Sequence, residues 1–415
     1  MRVAIIPARG GSKGIPCKNL QIICGKPLLW WNIQAALKAK QLDSVFVSTD
    51  DPEIGHVAKD SGAEVIWRPD DLASDDASSE AALIHGLLRI AELKSEYCIS
   101  DAKFQSSKLT NQHLKTKITS SFQNDDILVF LQCTSPLTVP EDIDGLVTKL
   151  ISQNVDSILS VTASHQFLWQ ENKSNTEGIN HDKRLRHRRQ NMRQQFAENG
   201  AIYAMRIPGF LKAGHRFFGK TALYEMSAER SWEIDEPLDL EIGEILLRKQ
   251  LRHMKRSLLP KHVTAVVFDF DGVLTDNKVY QCQDSGESVM CSRSDGMGIR
   301  HLLESGIKVL ILSSEENPVV AIRAKKLKVE VIYGSLNKAP LLDLWVKKHA
   351  INLKSVVYVG NDVNDIEAMR LAGCPVAVAD AHSDTKRHAL IVTEQQGGYG
   401  AAREVSDLIL SQRYG

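Results

Sequence analysis

V-A-I-I-P-A-R-G-G-S-K-G-I-P-C-K-N-L, residues 3–20, joins an apolar run to a loop crowded with glycine and cations. Val3–Pro7 shows no polar alternation, the pattern of a strand buried on both faces of a parallel sheet. Gly10, Gly11 and Gly14 let the backbone come close to a bulky anion, while Arg9, Lys13 and Lys18 place three cations in the same loop. That combination suits a triphosphate and the charge that develops as pyrophosphate departs. The loop is neither GxGxxG nor GxxxxGK[ST], so the dinucleotide-fold and P-loop readings fail. An ordinary Gly-rich turn with solvated charges is the plainer reading, and the density of glycine and cation weighs against it.

Outward from this loop, helical periodicity over Leu28–Ala39 alternates with short strands at Ser44–Ser48, Ala63–Ile66 and Ile127–Gln132. Such alternation predicts α/β layers around a mainly parallel sheet. Residues 94–124 are polar and weakly periodic, as a surface insertion would be. The basic stretch R-K-Q-L-R-H-M-K-R-S-L-L-P-K-H, residues 248–262, reads as the end of a helix followed by a connector. T-A-V-V-F-D-F at 264–270 then opens a second βα series, with strands expected at Lys308–Leu312, Glu330–Tyr333, Ser355–Val359 and Pro375–Ala379. The expectation is two doubly wound, mainly parallel α/β domains, 1–247 and 263–415, on either side of that connector.

Composition narrows the function. Lys plus Arg and Asp plus Glu each number 51, so net charge gives no argument for nucleic acid or an anionic membrane. No run has the length of a membrane-spanning helix, and the N-terminal apolar run is too short for a secretory leader. Seven scattered cysteines without CxxC spacing fit a reducing cytoplasm.

Five further segments follow the basic loop: V-S-T-D-D-P-E-I (47–54), R-P-D-D-L-A-S-D-D-A-S-S (68–79), L-Q-C-T-S-P-L (131–137), N-G-A-I-Y (199–203) and W-E-I-D-E-P-L-D-L (232–240). In this order they resemble the CMP-sialic acid synthetases, the acylneuraminate cytidylyltransferases. The resemblance implies a Rossmann-like nucleotidyltransferase domain that uses CTP and a nonulosonic acid sugar. It places Arg9, Ser12, Lys13, Lys18 and Asn19 on the triphosphate and ribose, and Arg68, Ser79 and Gln132 around cytidine. Glu233 and Asp235 would carry Mg²⁺ beside the phosphates, Arg189 would meet the sugar carboxylate, and Tyr203, Phe217 and Phe218 would pack against the sugar. Carboxylates at i and i+2 on an extended segment point the same way and can share a cation; a solvated strand end is the bland alternative. Any of these aromatics alone is more often core than site. Glu233 stands where many relatives have Asp, and H-Q-F-L-W at 165–169 departs from the commoner H-P pattern, which leaves the sugar open. The octulosonate (KDO) cytidylyltransferases rank second.

F-D-F-D-G-V-L-T-D, residues 268–276, closes an apolar strand with two carboxylates at i and i+2. It resembles motif one of the haloacid-dehalogenase phosphatases, which implies Asp269 as nucleophile and Asp271 as acid/base, with Mg²⁺ between them. Ser313 and Lys338 match the phosphate-binding positions. G-N-D-V-N-D at 360–365 puts Asn361 where that family often has a metal aspartate, with Asp362 and Asp365 beside it. D-G-M-G-I (295–299) and G-G-Y-G-A-A-R-E (397–404) extend the likeness to the capless octulosonate and nonulosonate phosphate phosphatases. Glu315, Arg323 and Lys326 match residues that grip a sugar 9-phosphate there, and a solvated helix explains these three as well. The resemblance further implies a tetramer through this domain and a dimer through the transferase domain. Two alternatives stand beside a bifunctional enzyme: an inactive C-terminal oligomerisation module, and activation of another acid sugar such as KDO or legionaminate.

Overall fold

The computed structural model describes residues 1–11, 14–74, 77–94, 119–172, 175–185, 188–281 and 287–414. The chain divides into two compact units, Met1–Lys249 and Gln250–Gly415. Residues 95–118 of the polar segment, Ser12 and Lys13 lie outside the described residues, as does the side chain of Arg189.

In the first unit the apolar opening run forms β1 (Arg2–Pro7), with Val3, Ala4, Ile5 and Ile6 wholly buried. Ala4 and Ile6 enter one apolar layer and Val3 and Ile5 the other, so the strand is covered on both faces. Around it lie β2 (Ser44–Thr49), β3 (Glu64–Trp67), β4 (Ile127–Leu131), β5 (Ser157–Ser164), β6 (Gln195–Arg206) and β7 (Thr221–Glu225). Their order is β7-β5-β6-β4-β1-β2-β3. All neighbours are parallel except β6, which runs antiparallel to both β4 and β5 and bulges between Glu198 and Tyr203. Helices α1 (Leu28–Lys38), α2 (Ser79–Lys94), α3 (Pro140–Ser152) and α4 (Pro237–Ser257) complete the frame. The last of these continues well into the basic stretch, whose run of straight-chain Arg, Lys, Gln, Leu and Met favours helix up to Ser257.

The second unit repeats the logic. β8 (Ala265–Phe268) is wholly buried and central in the all-parallel order β10-β9-β8-β11-β12-β13. Here β9 is Lys308–Leu312, β10 Glu330–Ile332, β11 Val356–Gly360, β12 Cys374–Ala377 and β13 Ile391–Val392. Helices α5 (Arg293–Glu304), α6 (Val319–Leu327), α7 (Lys338–Lys348) and α8 (Ala401–Tyr414) belong to this unit. The expected pair of mainly parallel α/β sheets is thus what the chain forms. The antiparallel β6 escaped the sequence reading because Asn199-Gly200 interrupts its apolar run.

In both units the strand order reverses beside the first strand. The chain builds outward from β1 to β3 and returns at β4; it builds from β8 to β10 and returns at β11. A crevice opens at the carboxyl ends at such a switch point. Both candidate sites lie there.

Candidate active sites

At the first switch point, a cleft of about 440 Å³ is lined by residues that include Arg9, Lys18, Asn19, Arg68, Ser79, Gln132 and Asp235. Each is held by local structure. Asn19 Nδ2 donates to Arg9 O (3.0 Å), fixing the basic loop across ten residues, and Arg9 Nη1 donates to Ser74 O (3.0 Å). Gly10 N donates to Asp50 Oδ1 (3.3 Å), and a Cβ at Gly10 would sit 2.5 Å from Asp51 Oδ2. Arg68 donates through Nη2 to Ser48 O (2.6 Å) and through Nη1 to Leu72 O, and burial pulls its pKa down. Its Nε is buried and unpaired among the described residues. Ser78 Oγ caps the start of α2 by accepting from Ala81 N (3.2 Å), which sets Ser79 at a helix N-terminus favourable to anions.

Across the cleft, Lys18 Nζ donates to Ile234 O and Asp235 Oδ1, both at 3.1 Å. Glu233 is half-buried; Oε1 accepts from Thr134 Oγ1 (2.9 Å) and Gln132 Nε2 (3.5 Å). Burial raises its carboxyl pKa above the usual value; Thr134 and the nearby Lys18 charge lower it, and Asp235 and Asp239 push it up. Gly200 has φ +68 and a Cβ there would lie 2.9 Å from Glu233 Oε2, so glycine serves both the turn and the close approach. The three expected sugar-side aromatics do not share one environment. Tyr203 is buried, stacks on Phe130 (5.3 Å, 17°) and donates to Glu198 Oε1 (2.5 Å); Phe217 is exposed; Phe218 packs into the core. Thr134, Glu198, Arg216 and Glu80 were not singled out from sequence; the pairs Thr134–Glu233 and Glu80–Arg216 join residues far apart in the chain, which no local pattern encodes.

At the second switch point the charges are buried. Lys338 Nζ lies 2.7 Å from both Asp269 Oδ1 and Asp365 Oδ1, and all three side chains are almost inaccessible. Tyr358 Oη donates to the same Asp365 oxygen (2.8 Å), while Oδ2 accepts from Asn361 N (2.9 Å) and Asp362 N (3.3 Å). Asp365 therefore clamps the loop. Burial, then Asp365, holds the Asp269 carboxyl well above the usual range against the pull of Lys338. Burial and Glu315 push Asp271 up to about 6. Asn361 Oδ1 is buried and without a hydrogen-bond partner among the described residues.

Ser313 is buried at the end of β9, and its Oγ accepts from Glu315 N (3.0 Å). Glu315 Oε1 accepts from Asn317 N (2.8 Å), and Asp362 Oδ1 from Val363 N (2.7 Å). Arg323 donates to Ser292 O (2.9 Å), whereas Lys326, one turn on, is exposed. The C-terminal segment abuts motif one: Gly398 N donates to Val273 O (3.0 Å), and a Cβ on Gly397 would fall 1.8 Å from Gly272 O. Among the described residues, no group of three or more His, Cys, Asp or Glu is arranged to hold a metal. No helix among them is long and apolar enough to cross a membrane.

Residues 3–92 match the cytidylyltransferase family and residues 306–404 the haloacid dehalogenase-like hydrolases. An N-acylneuraminate cytidylyltransferase of Oncorhynchus mykiss is 31% identical over 417 residues, covering 98% of this chain and 88% of that protein. The chain belongs to the N-acylneuraminate cytidylyltransferase family. As a member of that family it is an enzyme, with a phosphatase-type hydrolase domain behind the transferase. The C-terminal region is 37% identical over 151 residues to the 3-deoxy-D-manno-octulosonate 8-phosphate phosphatase of Escherichia coli K12, covering 36% of this chain and 80% of that one. The corresponding phosphatase of Moraxella catarrhalis, solved with magnesium, phosphate and KDO, is 30% identical, with 40% of this chain and 92% of that chain covered and a TM-score of 0.37.

Proposed function

We propose that the N-terminal unit transfers CMP from CTP to a sialic-type nonulosonic acid, and that the C-terminal unit hydrolyses the 9-phosphate of such a sugar. The observation carrying the first half is the cleft that gathers Arg9, Lys18, Asn19, Arg68, Ser79 and Gln132 at the switch point, facing Asp235. The sugar's anomeric hydroxyl attacks the α-phosphorus and loses its proton to solvent, a P–O bond forms, the bond to the β-phosphate's bridging oxygen breaks, and diphosphate leaves. Arg9, Lys13 and Lys18 neutralise the phosphates; Arg68 and Gln132 read the pyrimidine edge, the unpaired Arg68 Nε supplying a donor. Arg189 takes the sugar carboxylate. Glu233 and Asp235 fit a magnesium ion: they are two hard oxygen donors at i and i+2, Asp235 is largely exposed beside a single lysine, and substrate phosphates would complete such a site. Bound there, magnesium supplies charge neutralisation to the departing diphosphate.

In the C-terminal unit Asp269 attacks phosphorus as the bond to the sugar's O9 breaks and Asp271 protonates that oxygen; water, deprotonated by Asp271, then releases phosphate from Asp269, while Ser313 and Lys338 hold the phosphoryl oxygens. Asp269, Asp271 and the orphaned Oδ1 of Asn361 fit a second magnesium, while Asp365 has its acceptor sites occupied. Asn361 contributes one charge less than an aspartate, and this favours a second reading in which the unit is an inactive oligomerisation module. The domain limits 1–247 and 263–415 about a connector at 248–262, a dimer through the transferase and a tetramer through the phosphatase belong to the same proposal. That Cys17, Cys133, Cys291 and Cys374 are thiols, not disulfides, supports a cytoplasmic location.

The test is purified protein with magnesium, CTP and a panel of nonulosonic and octulosonic acids. A CMP-sugar with equimolar diphosphate is expected, most from a nonulosonate. No nucleotide-linked product from any acid sugar overturns the proposal.

A further inference from the structure

The hydrolytic steps above give Tyr358 no role, yet its side chain is wholly buried and still carries a hydroxyl. It stands on β11 opposite Val267 of β8, two residues before Asp269. Its ring belongs to an apolar layer with Val267, Leu310, Leu342 and Trp345, which phenylalanine would fill as well. The hydroxyl leaves that layer at its charged end and donates to Asp365 Oδ1 at 2.8 Å. The same oxygen takes Lys338 Nζ at 2.7 Å, while Oδ2 is held by Asn361 N and Asp362 N. Lys338 Nζ also lies 2.7 Å from Asp269 Oδ1. An ammonium has three N–H groups, so with Asp365 and Asp269 served, one is left for a phosphoryl oxygen.

We propose that Tyr358 is a positioning residue of the hydrolase site: by donating to Asp365 it weakens that carboxylate's hold on Lys338 and keeps the ammonium over Asp269 and the phosphoryl group. This rests on the hydrolase reading of the C-terminal unit. A second donor on one carboxylate oxygen offsets part of its charge, and in a buried cluster that offset is felt strongly. Without the hydroxyl, Asp365 Oδ1 has Lys338 as its one remaining donor and draws the ammonium away from the nucleophile. A tyrosine that merely satisfies a buried carboxylate would affect stability and leave turnover alone.

The experiment is steady-state phosphate release from N-acetylneuraminate 9-phosphate by the full chain with magnesium, for wild type, Tyr358→Phe, Asp365→Asn and the double variant. In Tyr358→Phe, kcat is expected to fall about twentyfold with KM within about threefold of wild type, and CMP transfer unchanged. In the Asp365→Asn background the same change should alter the residual rate less than about twofold, since the hydroxyl acts through that carboxylate. Wild-type kcat in Tyr358→Phe overturns the proposal, as does an undiminished twentyfold fall in the Asp365→Asn background. A Tyr358→Phe chain whose C-terminal unit does not fold also overturns it, because the hydroxyl is then structural. A wild type that releases no phosphate removes the hydrolase reading itself, an outcome distinct from a change confined to Tyr358.

Discussion

The N-terminal cleft and the Lys338 cluster occupy the same topological place in their sheets, yet one leaves its charges within reach of water and the other buries them. The cleft pairs Lys18 with a largely exposed Asp235 and leaves Glu233 half-buried against Thr134. The cluster has already paired its charges, Lys338 between Asp269 and Asp365, with water excluded. On the proposed function, the first arrangement receives a large anion and its metal, and the second holds its nucleophile against a built-in counter-ion. Stability and catalysis should accordingly separate in the cleft and coincide in the cluster.

The sharpest way to break this comparison is Asp269→Asn. Phosphate release from a nonulosonate 9-phosphate should fall about a thousandfold or more while CMP transfer stays at the wild-type rate. Equal inactivity of wild type and variant towards the sugar phosphate would instead favour the oligomerisation module. Lys338→Met leaves two buried carboxylates without their cation and should cost the C-terminal unit about 3–5 kcal/mol in denaturant unfolding. An unchanged midpoint would show that the cluster is not held by charge pairing. In the cleft, Gly200→Ala forces a Cβ against Glu233 at positive φ, and kcat/KM for CMP transfer should drop roughly a hundredfold; thermal stability should change little by comparison.

The smallest effect concerns acid. Burial raises the Glu80 carboxyl, but the hydrogen bond and charge of Arg216 lower it further, leaving it below the usual value of 4.5. A carboxylate depressed on folding adds stability that is complete above that value and is lost as pH falls through its folded pKa. Glu80→Gln should therefore flatten the decline of melting temperature below pH 4.5, read by thermal scans across pH.

How far the sequence could be read follows from the kind of signal each residue leaves. β1 and β8 were legible because strands buried on both faces carry unbroken apolar runs, and the loops after them show charge and glycine at high density. The gathering of Arg68, Ser79 and Gln132 about the basic loop came from motif resemblance alone, since nothing in their spacing brings them together. Helical periodicity placed Arg323 and Lys326 on one face, yet Arg323 turns to Ser292 O while Lys326 stays in water. Tyr203 facing Phe130, and Arg216 lying over both, follow from antiparallel pairing across a bulge, which no local pattern encodes.

The contact between Gly397 and Gly272 has a consequence for biosynthesis. A ribosome emits the first motif of the hydrolase long before the glycine pair that abuts it, and domains generally fold as units in the order of synthesis. Nascent chains will thus possess a finished N-terminal cleft while the C-terminal half still lacks a wall.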